Sequence, residues 1–221
     1  MPPTVVFHLC LYALLLFGGA GTLRWPAGWA FLALYAMQML TIDIWLARRD
    51  PALVAERRRP GLDTSPPPWD RRILIVSAVI GPAWMLFMAL DAGRFGWSPL
   101  PVALAPVGAV AMMLGTWIAY AGLRANRFAS IIVRLQPKRG HRVADRGPYA
   151  VVRHPIYAGA FLTALGAPLV LGSAWGLIGS VMLILLTARR AVLEERFLAE
   201  GLPGYRDYAR RVRWRVVPWL F

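Results

Sequence analysis

Charged side chains divide this chain into long apolar windows. Residues 4–23, 25–42, 73–90, 95–123 and 155–188 contain no Asp, Glu, Lys or Arg. A helix rising about 1.5 Å per residue needs roughly 20 mostly apolar residues to cross about 30 Å of hydrocarbon, and these windows have that length. As one helix the last would run to about 51 Å, and Leu171-Gly172-Ser173 interrupts it, so it is read as two helices. Spans are predicted near 4–23, 25–46, 71–91, 99–123, 155–171 and 174–193, an all-α, polytopic membrane helix bundle of about six transmembrane helices, or five if the last hairpin is counted differently. Pro82, Pro106 and Pro168 fall inside these spans and predict kinks, which membranes tolerate when neighbouring groups re-satisfy the freed carbonyls. The Asp50 to Asp70 loop, with Pro66-Pro67-Pro68, reads as an extended connector to which no chemistry is assigned. Asp43, near the end of the second predicted span, reads as snorkelling to the interface beside Arg48.

Composition agrees with that pattern. The chain is 58% hydrophobic and 16% charged, with a mean hydropathy of +0.51, which excludes an ordinary soluble domain. The first apolar run is expected to be a true span, because no Lys or Arg precedes it as a signal peptide requires. Cys10 is the single cysteine, which rules out a disulfide within the chain and a thiolate metal cluster; no metal is expected.

Where the charge sits decides what the net +14 means. Seven of the 25 Lys and Arg fall in 47–72, eight in 124–153 and eight in 189–215, leaving Arg24 and Arg94 in the other connections. Cytoplasmic segments carry the Lys/Arg excess, so all three clusters and both termini are expected on the cytoplasmic side, against anionic lipid headgroups. Nucleic acid is not an expected partner, since the arginines hug span ends without any known binding motif. The arginine excess, 24 Arg to one Lys, points to a GC-rich prokaryotic genome and hence an inner (plasma) membrane.

Two polar constellations interrupt the apolar pattern. The first ends in Arg146-Gly147-Pro148-Tyr149-Ala150-Val151-Val152-Arg153-His154-Pro155-Ile156-Tyr157. Pro155 suits a first helical turn, which places Arg153 and His154 at a helix N-terminus whose free N–H groups favour an anion. The alternative is that His154 only ends the loop and Arg153 holds lipid phosphate. The second is Arg189-Arg190-Ala191-Val192-Leu193-Glu194-Glu195. Arg190 and Glu194, four apart, share a helix face and could simply pair with each other. Glu195 points about 100° away from Glu194, so the two carboxylates would serve two ligands. Tyr205, Tyr208 and Trp214, among arginines, read as an interfacial amphipathic tail.

His141-Arg142-Val143, Gly147-Pro148-Tyr149, Arg153-His154-Pro155-x-Tyr157, an apolar hairpin, Glu194-Glu195-x-x-Leu198, Gly204-Tyr205-x-x-Tyr208 and Val212 before Pro218 together resemble the isoprenylcysteine carboxyl methyltransferase family and its bacterial relatives, over about residues 126–221. Phospholipid N-methyltransferases and membrane sterol reductases carry similar C-terminal halves. The first 125 residues, four spans, offer no matching motif, so the chain divides into 1–125 and a methyltransferase-like 126–221.

The resemblance implies S-adenosylmethionine as methyl donor, in a cytoplasmic pocket formed by the C-terminal half, and a lipid-like substrate entering from the bilayer. It implies cofactor-binding roles for His141, Gly147, Tyr149, Arg153, His154, Pro155, Tyr157 and Glu195, and catalytic roles for Arg190 and Glu194. Arg146, Ala150 and Val152 depart from its pattern, the last where an aromatic is expected.

The residue chemistry leaves the substrate open. A carboxylate nucleophile is already ionised and needs an arginine to position it; an amine needs an acceptor for its proton, which Glu194 could be. Carboxylate O-methylation is the leading expectation. The alternatives are phospholipid N-methylation, NADPH-dependent reduction of a sterol-like double bond, and a lipid-binding scaffold without catalysis. No strand-borne G-x-G-x-x-G supports a Rossmann-type site.

Overall fold

The computed structural model describes residues 3–58 and 66–221, and among these no extended strand forms. The helices are α1 (Pro3–Ala20), α2 (Pro26–Arg49), α3 (Pro51–Arg58), α4 (Pro68–Met88), α5 (Ala105–Ala125), α6 (Pro155–Leu171), α7 (Gly176–Gly201) and α8 (Tyr205–Arg211). Four helical stretches are long and apolar enough to cross a membrane, Pro26–Arg49, Pro68–Phe95, Val102–Ala125 and Gly176–Gly201; Val5–Ala20 and Pro155–Leu171 are shorter apolar helices. The protein is a polytopic membrane helix bundle. Its outer faces carry exposed Val79, Val107, Trp117, Ile178 and Leu185, apolar surface that lipid can solvate.

Inside, Leu16, Phe17, Phe31, Met85, Met88, Met112, Val170 and Leu171 form one buried cluster drawn from five helices. Small residues set the closest approach. Gly108, Gly115 and Gly122 of α5 recur every seven residues and face Gly166, Gly159 and Ile156 of α6; a Cβ at Gly115 would come within 2.5 Å of the Gly159 carbonyl oxygen. Without a hydrophobic driving force in lipid, such backbone-to-backbone packing holds helices together. Polar ties add to it: Gln38 Nε2 donates to the Met112 carbonyl at 2.9 Å and Trp84 Nε1 to the Gly176 carbonyl at 2.8 Å.

Helix ends converge in two groups, as the alternating charge predicts. At one end α4 runs into a π-helical turn, Ala89–Phe95, that buries Asp91. Its carboxylate accepts from the Ser98 amide at 2.8 Å and from the Ser98 and Ser173 hydroxyls, stitching that turn to the α6–α7 connection. At the other end the C-terminus of α5, the N-terminus of α6 and the C-terminal part of α7 surround the loop 126–154.

Three expectations change. Pro51–Arg58 is a helix, its Leu53 amide capped by Asp50 Oδ1 at 2.9 Å and its Leu53 side chain buried with Leu46, Leu123 and Ala129. The connector is therefore not extended there, and its residues 59–65 lie outside the described ones. Pro106 sits in the first turn of α5, where a missing N–H costs nothing, so only Pro82 and Pro168 lie inside helices. The tyrosines of the C-terminal tail turn inward instead of lying on the interface. Gly204, at φ +79°, reverses the chain into α8, which buries Tyr205 and Tyr208, and the Trp214 and Arg215 carbonyls accept from the Arg153 and His154 amides at 2.9 and 2.7 Å.

Candidate active site

A cavity of about 280 Å³ opens where α6 and α7 leave the apolar layer. Asn126, Ile131 to Arg134 and His141 to Ala144 of the loop, Arg153, His154 and Tyr157 around the start of α6, and Arg190, Glu194 and Leu198 of α7 contribute to its wall; Tyr149, Tyr205 and Tyr208 supply aromatic rings. The α6 N-terminus is set by Pro155, and α7 runs helical to Gly201, well past the predicted end near 193, so that Arg190, Glu194 and Leu198 share one helical face.

His154 caps this junction. Its Nδ1 lies 3.9 Å from Glu194 Oε2 and its Nε2 3.3 Å from Glu195 Oε1, and its ring stacks on Tyr157 with centroids 5.2 Å apart. The two adjacent carboxylates do serve different partners. Glu194 faces the cavity and accepts from the Tyr157 hydroxyl at 2.7 Å. Glu195 turns the other way, into Arg153 Nε at 3.0 Å and Arg215 Nε at 2.9 Å, and does not line the cavity. Arg153 is thus buried against Glu195, not spread on a lipid surface.

Arg190 does not pair with Glu194. Its Nε donates to Asp70 Oδ1 at 2.8 Å and its Nη2 to the Ile131 carbonyl at 2.6 Å, while its guanidinium carbon stands 5.9 Å from the Tyr157 ring centre. Asp70, in the first turn of α4, is fully buried, and its other oxygen accepts from the Val133 amide at 2.8 Å. Sequence reasoning missed Asp70, placed in a loop without chemistry; the one available signal was an acid at the start of an apolar helix.

The loop side is built from local bonds. His141 Nδ1 accepts from the Gln136 amide at 3.3 Å and its ring lies 4.8 Å from Phe128; burial, with the charge of Arg139, lowers its pKa. Gly147, at φ +60°, opens the tight turn that aims Tyr149 inward and is itself outside the cavity wall, as is Pro155. Tyr208 donates to the Tyr149 carbonyl at 2.8 Å. Burial raises both phenols, so they stay protonated at neutral pH. Tyr205 and Tyr208, read as surface residues, are part of this wall; the Gly204 turn was the signal for the chain folding back.

Residues 104–203 match the phospholipid methyltransferase family. The match takes in α5, α6, α7 and the loop between α5 and α6, and so every candidate site residue from His141 to Glu195 that the resemblance implied. The protein-S-isoprenylcysteine O-methyltransferase of Schizosaccharomyces pombe is 33% identical over 92 residues, 41% of this chain and 39% of the relative. The chain therefore matches about two fifths of the length of that curated relative. Both findings uphold the resemblance to isoprenylcysteine carboxyl methyltransferase-like membrane methyltransferases. Asp70, Tyr205, Tyr208 and Arg215 lie outside the matched segment.

Proposed function

We propose that this protein transfers a methyl group from S-adenosylmethionine to a hydrophobic, lipid-like substrate that reaches the site from the bilayer, and that the acceptor is a carboxylate. The observation that carries this reading is the cavity edge, where Arg190, Glu194 and Tyr157 face one space at the end of two apolar helices. The cavity combines aromatic walls at Tyr149, Tyr205 and Tyr208 with arginines 134, 142 and 153, a mixture suited to a flat base joined to a charged amino acid. His141, Tyr149, Arg153, His154 and Tyr157 would hold the cofactor. When bound it supplies a methyl group on a cationic sulfur.

The chain's own residues then have to hold the acceptor in line and keep water out, which is the main demand of such a displacement. A carboxylate acceptor is ionised near neutral pH, so the site needs no base for it, only a directional donor. Arg190 has that role. Its Nη1 protons have no hydrogen-bond partner among the described residues, and the residue lines the cavity. A second reading, methylation of a phospholipid amine, is favoured by Glu194, an acid facing the cavity that could take the amine proton. We further infer from the arginine clusters that the cavity end of the bundle and both termini are cytoplasmic, in the inner membrane of a prokaryote, in contact with anionic lipids.

Calorimetric titration of S-adenosylmethionine, and separately NADPH, into the detergent-purified protein tests the reading. Saturable S-adenosylmethionine binding that Tyr157→Ala weakens, with label then passing to a carboxylate lipid, is the expected result. Label on an amine lipid would select the second reading. Binding of NADPH alone would overturn both.

A further inference from the structure

Resting on that methyltransferase reading, we propose that Asp70 is a positioning residue for Arg190, so that a helix outside the matched methyltransferase region completes the reacting end of the site. A buried carboxylate is costly unless its oxygens are matched, and both of these are. Oδ1 takes Arg190 Nε at 2.8 Å, and Oδ2 takes the amide of Val133, in the loop that walls the cavity. Asp70 is 0% exposed and does not itself line the cavity, so it reaches the reaction only through what it holds.

What it holds is a long, flexible side chain that loses much rotamer freedom when fixed. Asp70 and the Ile131 carbonyl engage the guanidinium at Nε and Nη2. That fixes its plane and directs the remaining Nη1 protons to the acceptor. The pairing also cancels the arginine's charge locally, which makes Arg190 a directional donor rather than a free cation competing with the cofactor's sulfonium. The geometry has a cost if Asp70 is lost. An untethered guanidinium samples other rotamers, and its nearest remaining carboxylate on α7 is Glu194, four residues on, which would draw it away from the acceptor.

The test uses the full-length protein in detergent, an S-isoprenyl cysteine with a free carboxylate as acceptor probe, and the variants Asp70→Asn, Arg190→Gln and the double variant. Asp70→Asn is expected to lower kcat/KM for the acceptor about tenfold or more, while S-adenosylmethionine affinity changes less than about twofold. In the Arg190→Gln background, adding Asp70→Asn should cost no further activity, since Asp70 then has nothing to position. It should also raise the unfolding temperature above that of Arg190→Gln alone by removing an unpaired buried charge, a readout that persists if Asp70→Asn alone folds poorly. An active wild type whose Asp70→Asn variant keeps its kcat/KM, or activity losses that multiply in the double variant, would overturn the proposal. A wild type that binds no S-adenosylmethionine would overturn the methyltransferase reading and this proposal with it.

Discussion

The His154 imidazole and the Glu195 carboxylate meet at 3.3 Å where α7 passes the N-terminus of α6. The same carboxylate holds Arg153, just ahead of α6, and Arg215, in the returning C-terminal segment. One buried acid thus joins three stretches of chain behind the cavity. Glu195→Gln leaves Arg153, whose side chain is 9% exposed, without its counter-charge. Removing one partner of a buried pair costs about 3–5 kcal/mol, so a marked fall in thermal midpoint in detergent is expected. An unchanged midpoint would show that this pair does not hold the C-terminal segment in place.

On the cavity side of the same helix, Tyr157 donates to Glu194 at 2.7 Å. Tyr157→Phe keeps the ring stacked on His154 and deletes only the hydroxyl. Loss of one such bond costs about 1 kcal/mol of stability, but it frees Glu194 at the cavity edge proposed to receive the acceptor. Methyl-transfer rate is expected to fall roughly tenfold with little change in the midpoint. Full activity in the phenylalanine variant would remove Tyr157 from the positioning of Glu194.

The six apolar helices, four of them long enough to cross a membrane, were legible because charge bounds the apolar windows and Leu171-Gly172-Ser173 divides the last one. Helix ends were less so. Arg48 and Arg49 stay in the last turn of α2, where cations suit the C-terminal dipole, so a charge does not mark the end of a helix. That Arg190, Glu194, His154 and Tyr157 belong to one site was implied by the family resemblance and not by the spacing of the residues alone, and the four do line one cavity. The partner of Arg190 was not legible, because Asp70 is 120 residues away while Glu194 offered a local pair at helical spacing. Tyr205 and Tyr208 were hidden for a similar reason: tyrosines among arginines look interfacial until the Gly204 turn brings them under the cavity.

Acidification should weaken the loop that carries His141. Burial and the nearby Arg139 lower its pKa, and Nδ1 must be unprotonated to accept from the Gln136 amide. Between the folded pKa and the unfolded value of about 6.5, the unfolded chain binds more protons, so stability rises with pH there. The contribution is complete above the unfolded value and is lost as pH falls below it. Thermal midpoints measured from pH 7.5 down to about 5 should therefore decline, and less steeply in His141→Asn. Parallel slopes for the two proteins would assign the decline to other groups.

The α5–α6 seam gives the sharpest structural test, because it depends on atoms that are missing. A Cβ at Gly115 would meet the Gly159 carbonyl oxygen at 2.5 Å and Thr163 Oγ1 at 2.7 Å, both on the facing helix. Gly115→Ala must therefore push the helices apart, and overpacking of this kind costs about 1–3 kcal/mol. The start of α6 carries His154 and Tyr157, so the shift should also reach the cavity and lower methyl transfer. Gly81→Ala is the matched control, since a Cβ there meets nothing within 4 Å. Equal midpoints for the two variants would mean that the seam relaxes freely, and that the glycine spacing is not what sets the distance between α5 and α6.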